Sequence, residues 1–185
     1  MSMETLISSV FLPTKFKKVM FMSETTKQML FAKNLVCICV DDKVNEDYSG
    51  KLFHQYSDDP LVFDGVADLC LKMEELFDEW DFPQRGLEER TFTREAREAI
   101  REKGRRHHMS DSDLLPIEVI QQKYGVRNIQ NKKGGLGTFV VQVVYRQDAT
   151  WQGHVIIKDS NEKKDFISAF ELIRIMDRAI GEKQS

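Results

Sequence analysis

Residues 90–108 gather Arg90, Arg94, Arg97, Arg101, Lys103, Arg105 and Arg106 against Glu95, Glu98 and Glu102, and end in His107 and His108. Arg90, Arg94, Arg97 and Arg101 recur at three- and four-residue steps, which puts them on one face of a helix. Such a row can follow a phosphate backbone, because guanidinium groups bind phosphate oxygens bidentately and displace counterions. The same spacing lets Glu98 pair with Arg94 and Arg101, as in an exposed, ion-paired linker helix. Both readings stay open on the residues alone.

His107 and His108 are the candidate catalytic residues. An imidazole can take the proton of a ribose hydroxyl while Arg105 or Arg106 stabilises the charge that develops at phosphorus. Asp111 and Asp113 follow, yet Ser110 to Asp113 read equally well as the cap of another helix. No cofactor is expected, although a nuclease would admit a divalent metal; no acidic pair in the chain has the spacing of a known metal loop. Phosphate-binding glycine loops and nucleophile elbows are also missing: Gly134, Gly135 and Gly137 precede a strand instead of opening a helix.

A second cluster, Tyr145, Arg146, Gln147, Trp151 and Gln152, surrounds one turn. Tyr, Trp and Arg dominate binding hot spots, so Arg146 and Gln147 join Arg94, Arg97, Arg101, Arg105 and Arg106 as candidate nucleic-acid or partner contacts. Trp151 is expected to anchor its hairpin onto the helix of its own unit, as Tyr48 would in an earlier unit.

The elements that must position these residues follow from an internal repeat. Residues 48–78 laid over 151–181, an offset of 103, pair Tyr48 with Trp151, Gly50 with Gly153, Phe63 with Phe166, Leu69 with Leu172 and Met73 with Met176. Val66, Leu69, Cys70, Met73, Leu76, Phe77 and Trp80 form one helical stripe; Ala169, Leu172, Ile173, Met176, Ala179 and Ile180 form its counterpart. Leu35 to Val40 and Thr138 to Tyr145 read as strands, each followed by a polar turn and a second strand from Gly50 or Gly153.

The spacing therefore predicts an α+β fold of two related strand-hairpin-helix (ββα) modules joined by a helical, arginine-rich connector. The boundaries are an N-terminal module at 1–84, a basic connector with a flexible Gly/Lys linker at 85–137, and a C-terminal module at 138–185. Within the connector, Thr93 opens the charged helix and a short helix ends at Gly125. Lys17 to Met22 can add a further strand.

The net charge is -3, with 31% charged and 41% hydrophobic residues. That balance excludes the disordered class and suits small modules. Cys37, Cys39 and Cys70 are odd in number and sit in apolar positions, so they read as core thiols of a reducing compartment. No apolar run reaches the ~20 residues of a membrane span. A cytoplasmic protein with no membrane contact is expected.

The stretch VVYRQDATWQGHV followed by DFISAFELIRIMDRAI resembles small proteins carried by plasmids and conjugative elements of Firmicutes. The shared pattern is Tyr145, Arg146, Gln147, Trp151, Gln152, Gly153, Glu171, Leu172, Met176 and Asp177. A companion pattern matches Met73, Glu74, Phe77, Asp78, Phe82, Pro83 and Gln84, and the likeness leaves the arginine-rich middle unmatched. Some members of that group are anti-CRISPR proteins. The resemblance implies an inhibitor of the type II CRISPR effector nuclease that acts on the effector or its guide RNA, guide truncation by a ribonuclease being one mode. The alternative is a non-catalytic structural or regulatory adaptor of a mobile genetic element that self-associates as a homodimer through exposed strand edges.

Overall fold

The computed structural model describes residues 29–45, 47–86, 114–147 and 150–184. In chain order these form β1 (Leu35–Val44), β2 (Asp47–His54), β3 (Leu61–Asp64), α1 (Val66–Glu79), α2 (Pro116–Tyr124), β4 (Gly137–Gln147), β5 (Thr150–Ile157), β6 (Glu162–Phe166) and α3 (Ala169–Gln184). The fold is α+β: one six-stranded antiparallel sheet in the order β3-β2-β1-β4-β5-β6, with three helices among the described residues.

Two apolar runs become the central strands because both of their faces are covered. Val36, Ile38 and Val40 of β1 and Phe139, Val141 and Val143 of β4 point toward the side on which α1 and α3 pack. Leu35, Cys37, Cys39 and Val140 point the other way, under Met29 and Ile129. A strand wet on one face alternates; one buried on both reads as continuous apolar sequence. β1 and β4 pair antiparallel from Leu35 opposite Gln142 to Val40 opposite Gly137, so both halves of the chain share one sheet.

Each half has one strand more than the sequence pattern predicts. β3 and β6, at the two edges, lie between the hairpins and the long helices. Both are short: the apolar run of β3 is only Leu61, Val62 and Phe63, and β6 reads Glu-Lys-Lys-Asp-Phe, with no apolar run to mark a strand. Their phenylalanines meet the glycines of β2 and β5: Phe63 lies opposite Gly50 and Phe166 opposite Gly153. A Cβ at Gly50 would stand 2.1 Å from the Cys39 carbonyl oxygen, and one at Gly153 2.0 Å from that of Gln142. Close strand approach therefore requires glycine at both positions.

The helices bury the stripes their spacing predicts: Leu69, Met73, Leu76 and Phe77 from α1, and Leu172, Met176 and Ile180 from α3. Each such side chain contributes about 1.5–3 kcal/mol when fully buried. Their starts are satisfied differently. The Asp47 carboxylate, on β2, accepts the Val66 N–H at 2.8 Å. Negative charge is thus placed at the N-terminus of α1, where the helix dipole favours it. At α3, Ser168 Oγ accepts the Glu171 N–H at 3.0 Å. That is a side-chain cap supplied by the residue before the helix.

Two smaller expectations are corrected. Residues 128–137 are not a flexible linker: Ile129 is buried, and the Gly134 N–H donates to Thr138 Oγ1 at 2.9 Å. A Cβ at Gly134 would strike the Val40 carbonyl oxygen at 2.6 Å, so the glycine serves close packing. Cys37 and Cys39 are core thiols, whereas Cys70 is only half-buried. The contact with Cys39, 3.9 Å between sulfurs, and burial hold the Cys37 thiol well above its ordinary range. No helix among the described residues is long and apolar enough to cross a membrane.

Candidate nucleic-acid and partner interface

Both hairpins twist at a matching point. The β1–β2 register shifts between Val40 and Asp42, and the β4–β5 register between Val143 and Tyr145. An extra residue in one strand bends it and re-aims the side chains beyond. At the β4–β5 tip this turns Arg146 and its cross-strand partner Trp151 onto the helix-covered face and leaves Tyr145 and Gln152 on the other.

Arg146 and Trp151 then meet α1. Arg146 pairs with Glu74 at 2.7 Å and with Asp78 at 2.5 Å, and its side chain is only 3% exposed. Its guanidinium lies 5.7 Å from the centre of the Phe77 ring. The Trp151 indole N–H donates to Glu74 at 2.7 Å, and its ring meets Phe77 edge-on. Arg85 closes the cluster from the solvent side, 2.9 Å from Glu74 and 2.8 Å from Asp78.

This overturns the expectation that Trp151 anchors its hairpin on the helix of its own half. The same crossing occurs at the other tip. Tyr48, on β2, donates its hydroxyl to Asp177 of α3, and Lys43 stands 3.8 Å from that carboxylate. Burial first, and then the bond to Asp177, hold the Tyr48 phenol above its usual range. The cause is topological. The β1–β4 ladder ends at Val40 and Gln142, so each hairpin overshoots it and ends beside the helix of the opposite half.

Arg146 is thereby removed from the candidate contacts. Its terminal nitrogens are occupied by Glu74, Asp78 and the Pro83 carbonyl, and its burial leaves no surface to present. Gln147 is exposed at the hairpin tip, and Tyr145 is 54% exposed. Arg94, Arg97, Arg101, Arg105, Arg106, His107 and His108, together with the Ser110 to Asp113 cap and the Lys17 to Met22 strand, lie outside the described residues. Described, however, are the two points where the chain departs and returns. The Gly86 N–H donates to the Arg146 carbonyl at 2.8 Å, and the Ile117 N–H to the Trp80 carbonyl at 3.1 Å. Residues 87–113 thus leave and rejoin the fold at one corner, beyond the C-terminal end of α1.

Arg85 was missed by sequence reasoning, and Glu74 and Asp78 entered it only as members of the companion pattern, with no role. Glu74 and Asp78 are four residues apart beside the apolar stripe, a signal for an ion-paired helix flank that names no partner. The aromatic group behind them continues through Trp80 to Tyr56 and His54, with ring centres 5.5 and 5.6 Å away. Burial pushes the Tyr56 phenol up to about 12 and holds the His54 imidazole below its ordinary value, with the Arg127 charge adding to the latter. His154 pairs with Asp165 at 2.6 Å on the face away from the helices. Among the described residues no three His, Cys, Asp or Glu side chains gather as a metal site. Comparisons with protein-family models, curated proteins and solved structures found no match to this chain.

Proposed function

We propose that the protein is a nucleic-acid-directed inhibitor, a folded platform that presents residues 90–108 to RNA or to an RNA-loaded nuclease. One observation carries this reading: the chain on either side of the stretch is bonded to the Arg146 carbonyl at Gly86 and to the Trp80 carbonyl at Ile117, so both of its ends are anchored beside the C-terminal end of α1. Residues 90–108 hold seven Arg and Lys against three Glu, a net charge of +4 within a chain of net charge -3. Positive charge is thus concentrated in one stretch of an otherwise acidic chain. Polyanion binding through counterion release follows from such a concentration.

In its finer form the target is the type II CRISPR effector nuclease or its guide RNA, which the resemblance to mobile-element proteins supports. His107 and His108 remain the residues for guide truncation in that form, with a divalent metal as an admissible cofactor. We also infer that the halves of the chain are two copies of one folding unit. In support, Val40 and Val143, Asp42 and Tyr145, and Gly50 and Gly153 are each 103 positions apart and hold equivalent places in the two hairpins.

Binding of guide RNA, free and effector-loaded, should weaken steeply with salt. Reversing Arg101, Arg105 and Arg106 to Glu should abolish it and relieve inhibition of target cleavage, whereas neutralising the three to Gln should flatten the log–log salt slope by about 2. Wild-type inhibition by that triple variant would dispose of residues 90–108 as the contact. The length of the guide after incubation, with and without EDTA, separates truncation from simple binding.

A self-associating adaptor is the second reading, and one edge of the sheet favours it. β6 is blunted by Glu162, Lys163, Lys164 and Asp165, as protected edges are. β3 instead carries Leu61, Val62 and Phe63, with Val62 65% exposed. A dimer that binds neither RNA nor effector, and that dissociates on Val62→Lys, would support this reading over the first.

A further inference from the structure

Cys37 and Cys39 form a pair of buried thiols on β1. Alternate residues of a strand share a face, so both point to the side away from α1 and α3. Their sulfurs lie 3.9 Å apart, in direct contact. Across the neighbouring strands Cys37 stands between Phe53 and Val140, and Cys39 between Lys51 and Thr138. Met29, only 2% exposed, packs into the same cluster with Ile129. It sits on the short turn before β1, where the Ala32 N–H donates to the Met29 carbonyl at 3.0 Å. Two thiols and a thioether thus share one buried cluster.

We propose that Cys37, Cys39 and Met29 form a binding site for copper(I). Thiolate and thioether sulfur select this soft ion over hard cations, which take oxygen ligands. A metal–thiolate bond of about 2.3 Å and the observed sulfur separation give an S–metal–S angle of about 115°, near the trigonal value. The ion therefore enters between the thiols with little movement of β1, and the thioether is the third donor. Zinc would ask for a four-ligand tetrahedral shell. Among the described residues no third His, Cys, Asp or Glu side chain joins the pair. A disulfide is opposed by the strand itself: residues two apart are separated by about 6.6 Å between Cα atoms, the far end of what a disulfide spans.

Binding replaces two S–H bonds by two S–Cu bonds and releases both protons to solvent, so the copper dithiolate carries one net negative charge. Lysines answer that charge. Lys132 stands 4.6 Å over the Phe53 ring, and its charge and that of Lys158 favour a thiolate at Cys37. Contact with Cys37 holds the Cys39 thiol below its ordinary range, with Lys132 and Lys51 helping and burial and Asp41 opposing. Asp41 is itself 3.6 Å from Lys51, which offsets it. Entry requires displacement of the Met29 turn, which the Gln130 amide ties at the Leu30 carbonyl, 3.2 Å away. Copper held by Met29 then fastens that turn to the sheet.

The test is anaerobic titration of the reduced full chain with copper(I) buffered by bathocuproine disulfonate, whose coloured complex reports the metal lost to the protein. One ion per chain is expected. Cys37→Ala and Cys39→Ala should show no measurable binding, Met29→Leu should bind about tenfold more weakly, and Cys70→Ala should bind as wild type does. X-ray absorption of the copper-loaded wild type should show a first shell of sulfur alone, a result that does not depend on how the variants fold. Copper left entirely with the chelator would overturn the proposal, as would nitrogen or oxygen in the first shell. Wild-type affinity in the Cys37, Cys39 or Met29 variant would overturn it too, and so would displacement of the copper by an equal concentration of zinc.

Discussion

The two hairpin tips stand at equivalent points of the sheet, and each reaches the helix of the opposite half, but with unequal chemistry. At the β4–β5 tip a buried guanidinium and an indole N–H engage two carboxylates of α1, and Arg85 completes a box of two cations and two anions. At the β1–β2 tip a phenol and an ammonium share the single carboxylate of Asp177, whose side chain is 62% exposed. Water reaches most of the single Asp177 carboxylate in the second arrangement, whereas the Arg146 guanidinium and the Trp151 indole of the first are buried. The same geometry therefore holds α1 tightly and α3 loosely, and the tight side is the one from which residues 87–113 depart.

Substitutions at matched positions can break that contrast. Trp151→Ala should be the most damaging, about 3–5 kcal/mol, because it empties a buried indole site and frees Glu74 of a donor. Tyr48→Phe keeps its ring and loses one partly exposed hydrogen bond, about 1 kcal/mol. Urea unfolding measures both, and equal losses would mean that the two tips are equivalent after all.

The cations sharpen the same comparison. Arg146→Met should cost about 2 kcal/mol, moderated because Arg85 remains on both carboxylates. Lys43→Ala should fall within about 0.5 kcal/mol, as exposed pairs do. Only the Arg146 variant should also loosen the Gly86 anchor, seen as faster amide exchange there.

The smallest effect is a pH dependence confined to the first half. His54 has its imidazole held below the usual value by burial, so the unfolded chain takes up a proton that the folded chain refuses. Stability then falls as pH drops below about 6.5, the unfolded value, and is fully present above it. The urea midpoint should decline between about pH 7 and about pH 5.5, and His54→Gln should flatten that slope. An unchanged slope would place the titration elsewhere.

Much of the fold was legible in the residues. LVCICV and TFVVQVVY become β1 and β4, the two apolar stripes become α1 and α3, and Gly125 ends α2 where the pattern placed its stop. β3 and β6 escaped notice because an edge strand of four or five residues owes its existence to the neighbour it pairs with. Arg146 was misjudged for a related reason. An arginine beside Tyr and Trp reads as a contact surface until two carboxylates from sequence positions 68 and 72 residues away are placed against it.

Periodicity determines where strands and helices form and which face of each is apolar, since those depend on neighbours a few positions apart. The antiparallel β1–β4 ladder alone decides that each hairpin crosses to the other half's helix. Sequence cannot encode that choice locally: either helix offers an apolar stripe with acidic flanks, and only the length of overhang beyond the ladder determines which one the hairpin reaches.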